Sequence, residues 1–210
     1  MLDGKKLIVM VSSTVYGYEE LLDRIYTLLT AFGYEVWMSH KGTMPVYSTN
    51  TAFDNCLKAV EQCDLFLGLI TTSYGSGQDP ADSKGLSITH QEIIKAIELN
   101  KPRWILAHDH VVFARSLLNS LGYKGKSGRK KLILAENKVF TDLRILDLYE
   151  DATIAHREVL AERKGNWVQK FSSPEDSAIF ITAQFSRYHE VEAFIRENFE
   201  NSDLQNGGAR

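Results

Sequence analysis

Through roughly the first 110 residues, apolar positions recur at two alternating periods. Lys6 to Val11 is a continuous apolar run, as expected of a strand buried on both faces of a parallel sheet. Tyr18 to Phe32 places Leu21, Leu22, Ile25, Leu28 and Leu29 at helical spacing, with Gly33 where a helix-ending glycine belongs. Glu35 to Ser39 predicts a second short strand, followed by a polar loop from His40 to Asn50. A helix beginning at Thr51 or Asp54 carries Phe53, Leu57 and Val60. Leu65 to Ile70, the most apolar segment, predicts the third strand, and a long loop from Thr71 to Leu86 follows it. A helix over Ser87 to Asn100, ended by Lys101-Pro102, leads into a fourth strand over Arg103 to Ala107. Ile145 to Tyr149 is the best candidate for a fifth, reached through a helix at about Val111 to Leu121 and a loop from Gly122 to Lys131.

Strands and helices alternating through short connections predict a parallel sheet with right-handed crossovers. The expected fold is α/β: a flavodoxin-like three-layer sandwich with a five-stranded parallel sheet of order 2-1-3-4-5 and extra C-terminal helices. Residues 1–150 are expected to form this domain, 151–200 a helical extension packed on it, and 201–210 a flexible tail. Ser172-Ser-Pro174-Glu-Asp176 is a strong helix start. The apolar stripe Ile179, Phe180, Phe185, Tyr188, Val191, Phe194 and Ile195 follows it. A break is expected at Gly165-Asn166.

In a sheet of order 2-1-3-4-5 the ligand crevice opens beyond the carboxyl ends of strands one and three. Ser12, Ser13 and Thr14 follow strand one; Ser73, Tyr74 and Gly75 follow strand three. The helix after Ser87 begins beside both and carries Glu92, the best catalytic candidate. Each has a plainer reading. Glu92 can complement the helix dipole, Ser12 to Thr14 can cap the first helix, and Tyr74-Gly75 can form an ordinary turn.

The blocks Lys6-Leu-Ile-Val-Met-Val-Ser-Ser-Thr-Val-Tyr16, Glu19 to Arg24 and Phe32 to Val36 resemble the opening of a TIR-like domain-of-unknown-function family with an SSTV signature. Cys56 to Leu67, Ser73-Tyr-Gly75 and Ser87 to Pro102 match its later blocks, so the resemblance covers about residues 5–107. That family lies in the superfamily of TIR domains and nucleoside deoxyribosyltransferases. Thr89-x-x-Glu92-x-x-x-Ala96 is similar to the deoxyribosyltransferase nucleophile helix. The resemblance implies Glu92 as the catalytic residue. The substrate-binding set is then Ser12, Ser13, Thr14, Tyr16, Ser73, Tyr74, Gly75 and Ser87. The activity implied is hydrolysis of the N-glycosidic bond of NAD(P), in the setting of bacterial antiviral defence. No cofactor is expected, NAD or a related nucleotide being substrate or ligand. The alternatives are a non-catalytic nucleotide-binding or protein-interaction module and a deoxyribosyltransferase-like enzyme.

The chemistry is coherent. Cleaving the bond from ribose to nicotinamide builds positive charge at the anomeric carbon, which a nearby carboxylate stabilises or attacks. Nicotinamide leaves as a neutral molecule and needs no general acid. A deoxynucleoside base does benefit from one, for which Asp79 and Asp82 are the available residues.

Composition narrows the field without deciding it. The chain has 210 residues, 44% hydrophobic and 24% charged, with net charge −3. That balance is ordinary for a soluble globular protein and offers no electrostatic case for nucleic acid or an anionic membrane. No apolar run approaches the ~20 residues of a membrane span, and the start lacks signal-peptide features, so a cytoplasmic setting is expected. Cys56 and Cys63 are too few and wrongly spaced for zinc and are expected to be reduced. His108-Asp109-His110 lacks a further ligand of clear spacing, so no metal is expected. Lys124 to Lys131 reads as a solvated basic loop. There is no P-loop and no G-x-G-x-x-G. Partners expected are a sensor or activator protein and further copies of the chain, since TIR-like enzymes often complete their sites by oligomerising.

Overall fold

The computed structural model describes residues 5–75, 85–134, 139–140, 142–157 and 159–200. Five strands form one sheet in the order β2-β1-β3-β4-β5, and every neighbouring pair is parallel. They are β1 (Ile8–Ser13), β2 (Glu35–Trp37), β3 (Leu65–Ile70), β4 (Arg103–His108) and β5 (Val168–Phe171). Between them run α1 (Glu19–Ala31), α2 (Ala52–Gln62), α3 (Ile88–Glu98), α4 (Asp109–Ser120), α5 (Gly125–Arg129) and α6 (Arg144–Ala152). After β5 come α7 (Pro174–Phe185) and α8 (Tyr188–Ile195), then a short π-helical turn. The expected α/β architecture, with its strand order, is the one found.

The alternation of side chains along each strand sorts the core into two layers. Val9 and Val11 of β1, with Leu7 just before it, join α1, α7 and α8 on one face. Ile8 and Met10 join α2, α3, α4 and α6 on the other. β3 is buried along its whole length, which accounts for its unbroken apolar run. Gly68 lies at the centre of that strand. A Cβ there would stand 3.1 Å from the Phe66 ring and 3.4 Å from Ile93 of α3, so the glycine lets α3 settle close against the sheet.

Local chemistry fixes the helix starts. Thr51 and Asp54 form a capping box on α2, and the Ser87 hydroxyl accepts the His90 N–H at the start of α3. Ser173 caps α7 with Pro174 in its first turn, as the sequence predicts.

One strand is not where the sequence places it. Ile145 to Tyr149 is not a strand but the middle of α6. Ile145, Leu146, Leu148 and Ala152 are its buried residues, a spacing that a helix satisfies and a strand does not. The fifth strand is Val168–Phe171, of which only Phe171 is fully buried, because this is an edge strand. Residues after 150 therefore supply a strand as well as helices. α7 and α8 cover the α1 face, and the Tyr188 hydroxyl accepts the N–H of Leu7 at 2.8 Å.

The basic segment after α4 is also more than a solvated loop. It contains α5, and the Arg129 guanidinium is buried against Asp147 and Glu150 of α6. Among the described residues no helix is long and apolar enough to cross a membrane.

Candidate functional site

The site is assembled by strand parity. Ser12 shares a side of β1 with Ile8 and Met10, and so faces α3. There its hydroxyl donates to the Glu92 carboxylate at 2.5 Å. In α3, with Ser87 as N-cap, Glu92 is the fifth residue of the helix and sits in its second turn. That lies past the reach of a helix-dipole role. It belongs to the buried face with Thr89, Ile93 and Ala96 and is only 5% exposed.

Burial is the dominant influence on this carboxyl and raises its pKa from 4.5 to about 7, against the opposing hydrogen bonds from Ser12 and the Cys56 thiol. Cys56, on α2, is pushed up to about 12 by burial and by the negative charge of Glu92. It is a thiol that donates to the carboxylate, not a nucleophile. Glu92 thus changes charge near neutral pH while being held by donors from β1 and α2.

A second polar group stands at the same edge of the sheet. The Thr14 hydroxyl meets that of Thr71 at 2.5 Å and donates to the Ser73 carbonyl at 2.9 Å. Gly75 has φ +92° and packs so tightly that a Cβ would lie 2.8 Å from Thr14 Cγ2 and 3.6 Å from Ser87 Cβ. Thr14 of the β1–α1 connection therefore packs against Gly75, and Gly75 against Ser87 at the far end of the same β3–α3 connection. Tyr74 is buried, with its hydroxyl 2.7 Å from His90 Nδ1. His90 Nε2 lies 2.9 Å from Asp151 Oδ2, which also receives the Lys126 ammonium at 2.8 Å. Burial works to raise Asp151, but the His90 and Lys126 hydrogen bonds outweigh it and hold the carboxyl below its ordinary value. An ionised Asp151 accepts a hydrogen bond from His90 Nε2–H, which leaves Nδ1 as acceptor for the Tyr74 hydroxyl. The Arg144 guanidinium lies 4.7 Å from the centre of the Tyr74 ring and donates to the Gly85 carbonyl at 2.5 Å.

The geometry brings Ser12 to Glu92, and Thr14, Ser73, Tyr74, Gly75 and Ser87 to one another. Ser13 faces away from Ser12, and its hydroxyl donates to the Thr14 carbonyl at 2.9 Å. Tyr16 is 87% exposed and makes no hydrogen bond with the others among the described residues. Asp79 and Asp82 lie outside the described residues. His90, Asp151, Arg144 and Cys56 are what the sequence reading missed. Asp151 was hidden because the segment just before it reads as a strand. Cys56 was hidden because one cysteine on an amphipathic helix looks like core.

His108, Asp109 and His110 can each offer a ligand atom, all within 4.8 Å of one another. In this structure His108 Nδ1 accepts the His110 N–H at 3.2 Å and so caps α4.

A five-stranded parallel sheet of order 2-1-3-4-5, with helices on both faces and a buried carboxyl beside the carboxyl end of β1, defines an α/β domain of flavodoxin-like topology. Residues 8–200 match the family described as Domain of unknown function (DUF4062), and the chain belongs to it. Among curated proteins no match is found.

Proposed function

We propose that this protein is a TIR-like hydrolase that cleaves the N-glycosidic bond of NAD(P), with Glu92 as its catalytic carboxylate. The observation that carries the reading is the Ser12–Glu92 pair. A carboxyl with a pKa of about 7, oriented by a hydroxyl from the end of β1, stands where such sheets take nucleotides. Ionised, it stabilises positive charge developing at the ribose anomeric carbon, worth ~10²–10³ or more in rate. The C–N bond breaks, its electron pair leaves with neutral nicotinamide, and water adds to the anomeric carbon and releases a proton to solvent. The Thr14–Ser73–Gly75 group fits a role in receiving the nucleotide, because it follows the carboxyl ends of β1 and β3, where such sheets bind ligands. The proposed setting is NAD depletion in antiviral defence, under the control of an activating partner or of self-association.

One observation favours a second reading. The Glu92 side chain is enclosed, so a non-catalytic module that uses it to fix the crevice is the alternative. Nicotinamide release from NAD by purified protein, followed by chromatography, tests the proposal. Wild type should turn over, and Glu92→Gln should be inert while still binding NAD. If wild type stays inert at concentrations that permit oligomerisation, the binding module is favoured. A Glu92→Gln protein as active as wild type would place the chemistry on another residue.

A further inference from the structure

At the opposite, amino edge of the sheet lies a feature that the Glu92 crevice does not use. Arg103, the first residue of β4, is half-buried, and burial lowers its pKa with no opposing contribution from a neighbouring acid. Its guanidinium donates to the Lys101 and Lys164 carbonyls, both at a long 3.3 Å. Its Nε is buried without a hydrogen-bond partner, and it forms no ion pair among the described residues. A guanidinium stays cationic in proteins, so here a partly desolvated charge lacks a counter-charge, which is costly unless something supplies one.

The surroundings have the shape of a ligand site. Arg103 and Trp104 line a cavity of about 330 Å³ with Trp167, Gln169, Phe180 and Gln184. They also line an adjoining one of about 530 Å³ with Lys101, Lys164 and Phe194. Both volumes suit small molecules. Trp167 is 74% exposed at the rim, so its indole face is open to a ligand ring. Gly165 has φ +68°, and a Cβ there would stand 2.5 Å from Arg103 Nη2. The Gly165-Asn166 break expected from the sequence therefore lets the chain pass directly against the guanidinium.

We propose that Arg103, Trp104 and Trp167 form a second ligand site, at the amino edge of the sheet, for a small aromatic anion of which a mononucleotide is the type. The anionic group pairs with Arg103, whose remaining N–H donors suit a phosphate or carboxylate. The ring stacks on the indoles. The site is independent of the NAD reading, because it shares no residue with the Glu92 crevice.

Isothermal titration calorimetry of the full chain tests it, with AMP, adenosine and inorganic phosphate as probes. AMP should bind with a dissociation constant below roughly 1 mM, and adenosine or phosphate alone much more weakly. Arg103→Gln should weaken AMP roughly 10- to 100-fold, the worth of a charged hydrogen bond. Trp167→Ala, at an exposed position that the fold does not need, should weaken it about tenfold. Undiminished AMP affinity in both the Arg103→Gln and Trp167→Ala variants would put the nucleotide in the other crevice and overturn the proposal. So would a protein that self-associates through this face and binds no AMP. Phosphate binding as tightly as AMP overturns the aromatic half of the assignment.

Discussion

Glu92→Gln should make the protein more stable at alkaline pH, and the gain can be worked from the structure. The carboxyl has a pKa of about 7 in the folded chain against 4.5 for the ordinary group, because burial penalises its charge. A raised carboxyl pKa means that the folded state holds its proton more tightly than the unfolded state. The favourable contribution is complete below pH 4.5 and is lost as pH climbs through about 7. At ~1.4 kcal/mol per pH unit, that interval amounts to roughly 3 kcal/mol of destabilisation above pH 7. Glutamine keeps the shape, accepts the Ser12 hydroxyl through its amide oxygen and carries no charge to desolvate. The variant should therefore melt close to wild type at pH 4.5 and roughly 6–12 °C above it at pH 8. Calorimetric melting of both proteins at half-unit steps across that range checks the sign and the window. A variant that melts lower than wild type at pH 8, or by a margin that does not grow with pH, would refute a desolvated carboxylate at this position.

Two further outcomes follow from the same neighbourhood. Ser12→Ala removes a hydrogen bond that lowers the Glu92 pKa, so the pH at which Glu92 ionises should move upward. Carbon-13 NMR of labelled glutamate reads this directly, and the rising limb of any NAD turnover profile should shift with it. Gly75→Ala introduces a Cβ 2.8 Å from Thr14 Cγ2 at a residue with φ +92°, and urea unfolding should show a loss of about 1–3 kcal/mol.

The first four strands and their helices were legible because each is buried on a face that its periodicity reveals, β3 above all. Ile145 to Tyr149 misled because five residues are too few to separate a helix from a strand, and the alternation Leu146-Asp147-Leu148 satisfies both. The true edge strand was masked by its exposure: Val168, Gln169 and Lys170 read as nothing in particular. At the site, Glu92 and the hydroxyls after β1 were legible because topology alone gathers the carboxyl ends of the strands. Their pairing partners were not, since nothing in a linear sequence connects Glu92 to Cys56, or Tyr74 through His90 to Asp151. Tyr16 follows the same motif as Ser12, yet it stands in solvent, because proximity in sequence does not fix direction beyond a strand's end.

The coverage of α1 by α7 and α8 has a practical consequence for anyone dissecting the gene. A fragment cut after residue 150 looks like a self-sufficient Rossmann-type unit on paper. It would expose Leu21, Leu22, Ile25 and Leu29, which lie in one cluster with Ile181, Phe185, Val191 and Ile195, and would free the β4 edge that β5 occupies. It would also remove Asp151, leaving His90 without its acceptor beneath the Tyr74 loop. Such a truncation should be recovered as inclusion bodies rather than as a minimal catalytic core, and its silence in an activity screen would say nothing about Glu92. A fragment that keeps these contacts has to run through α8.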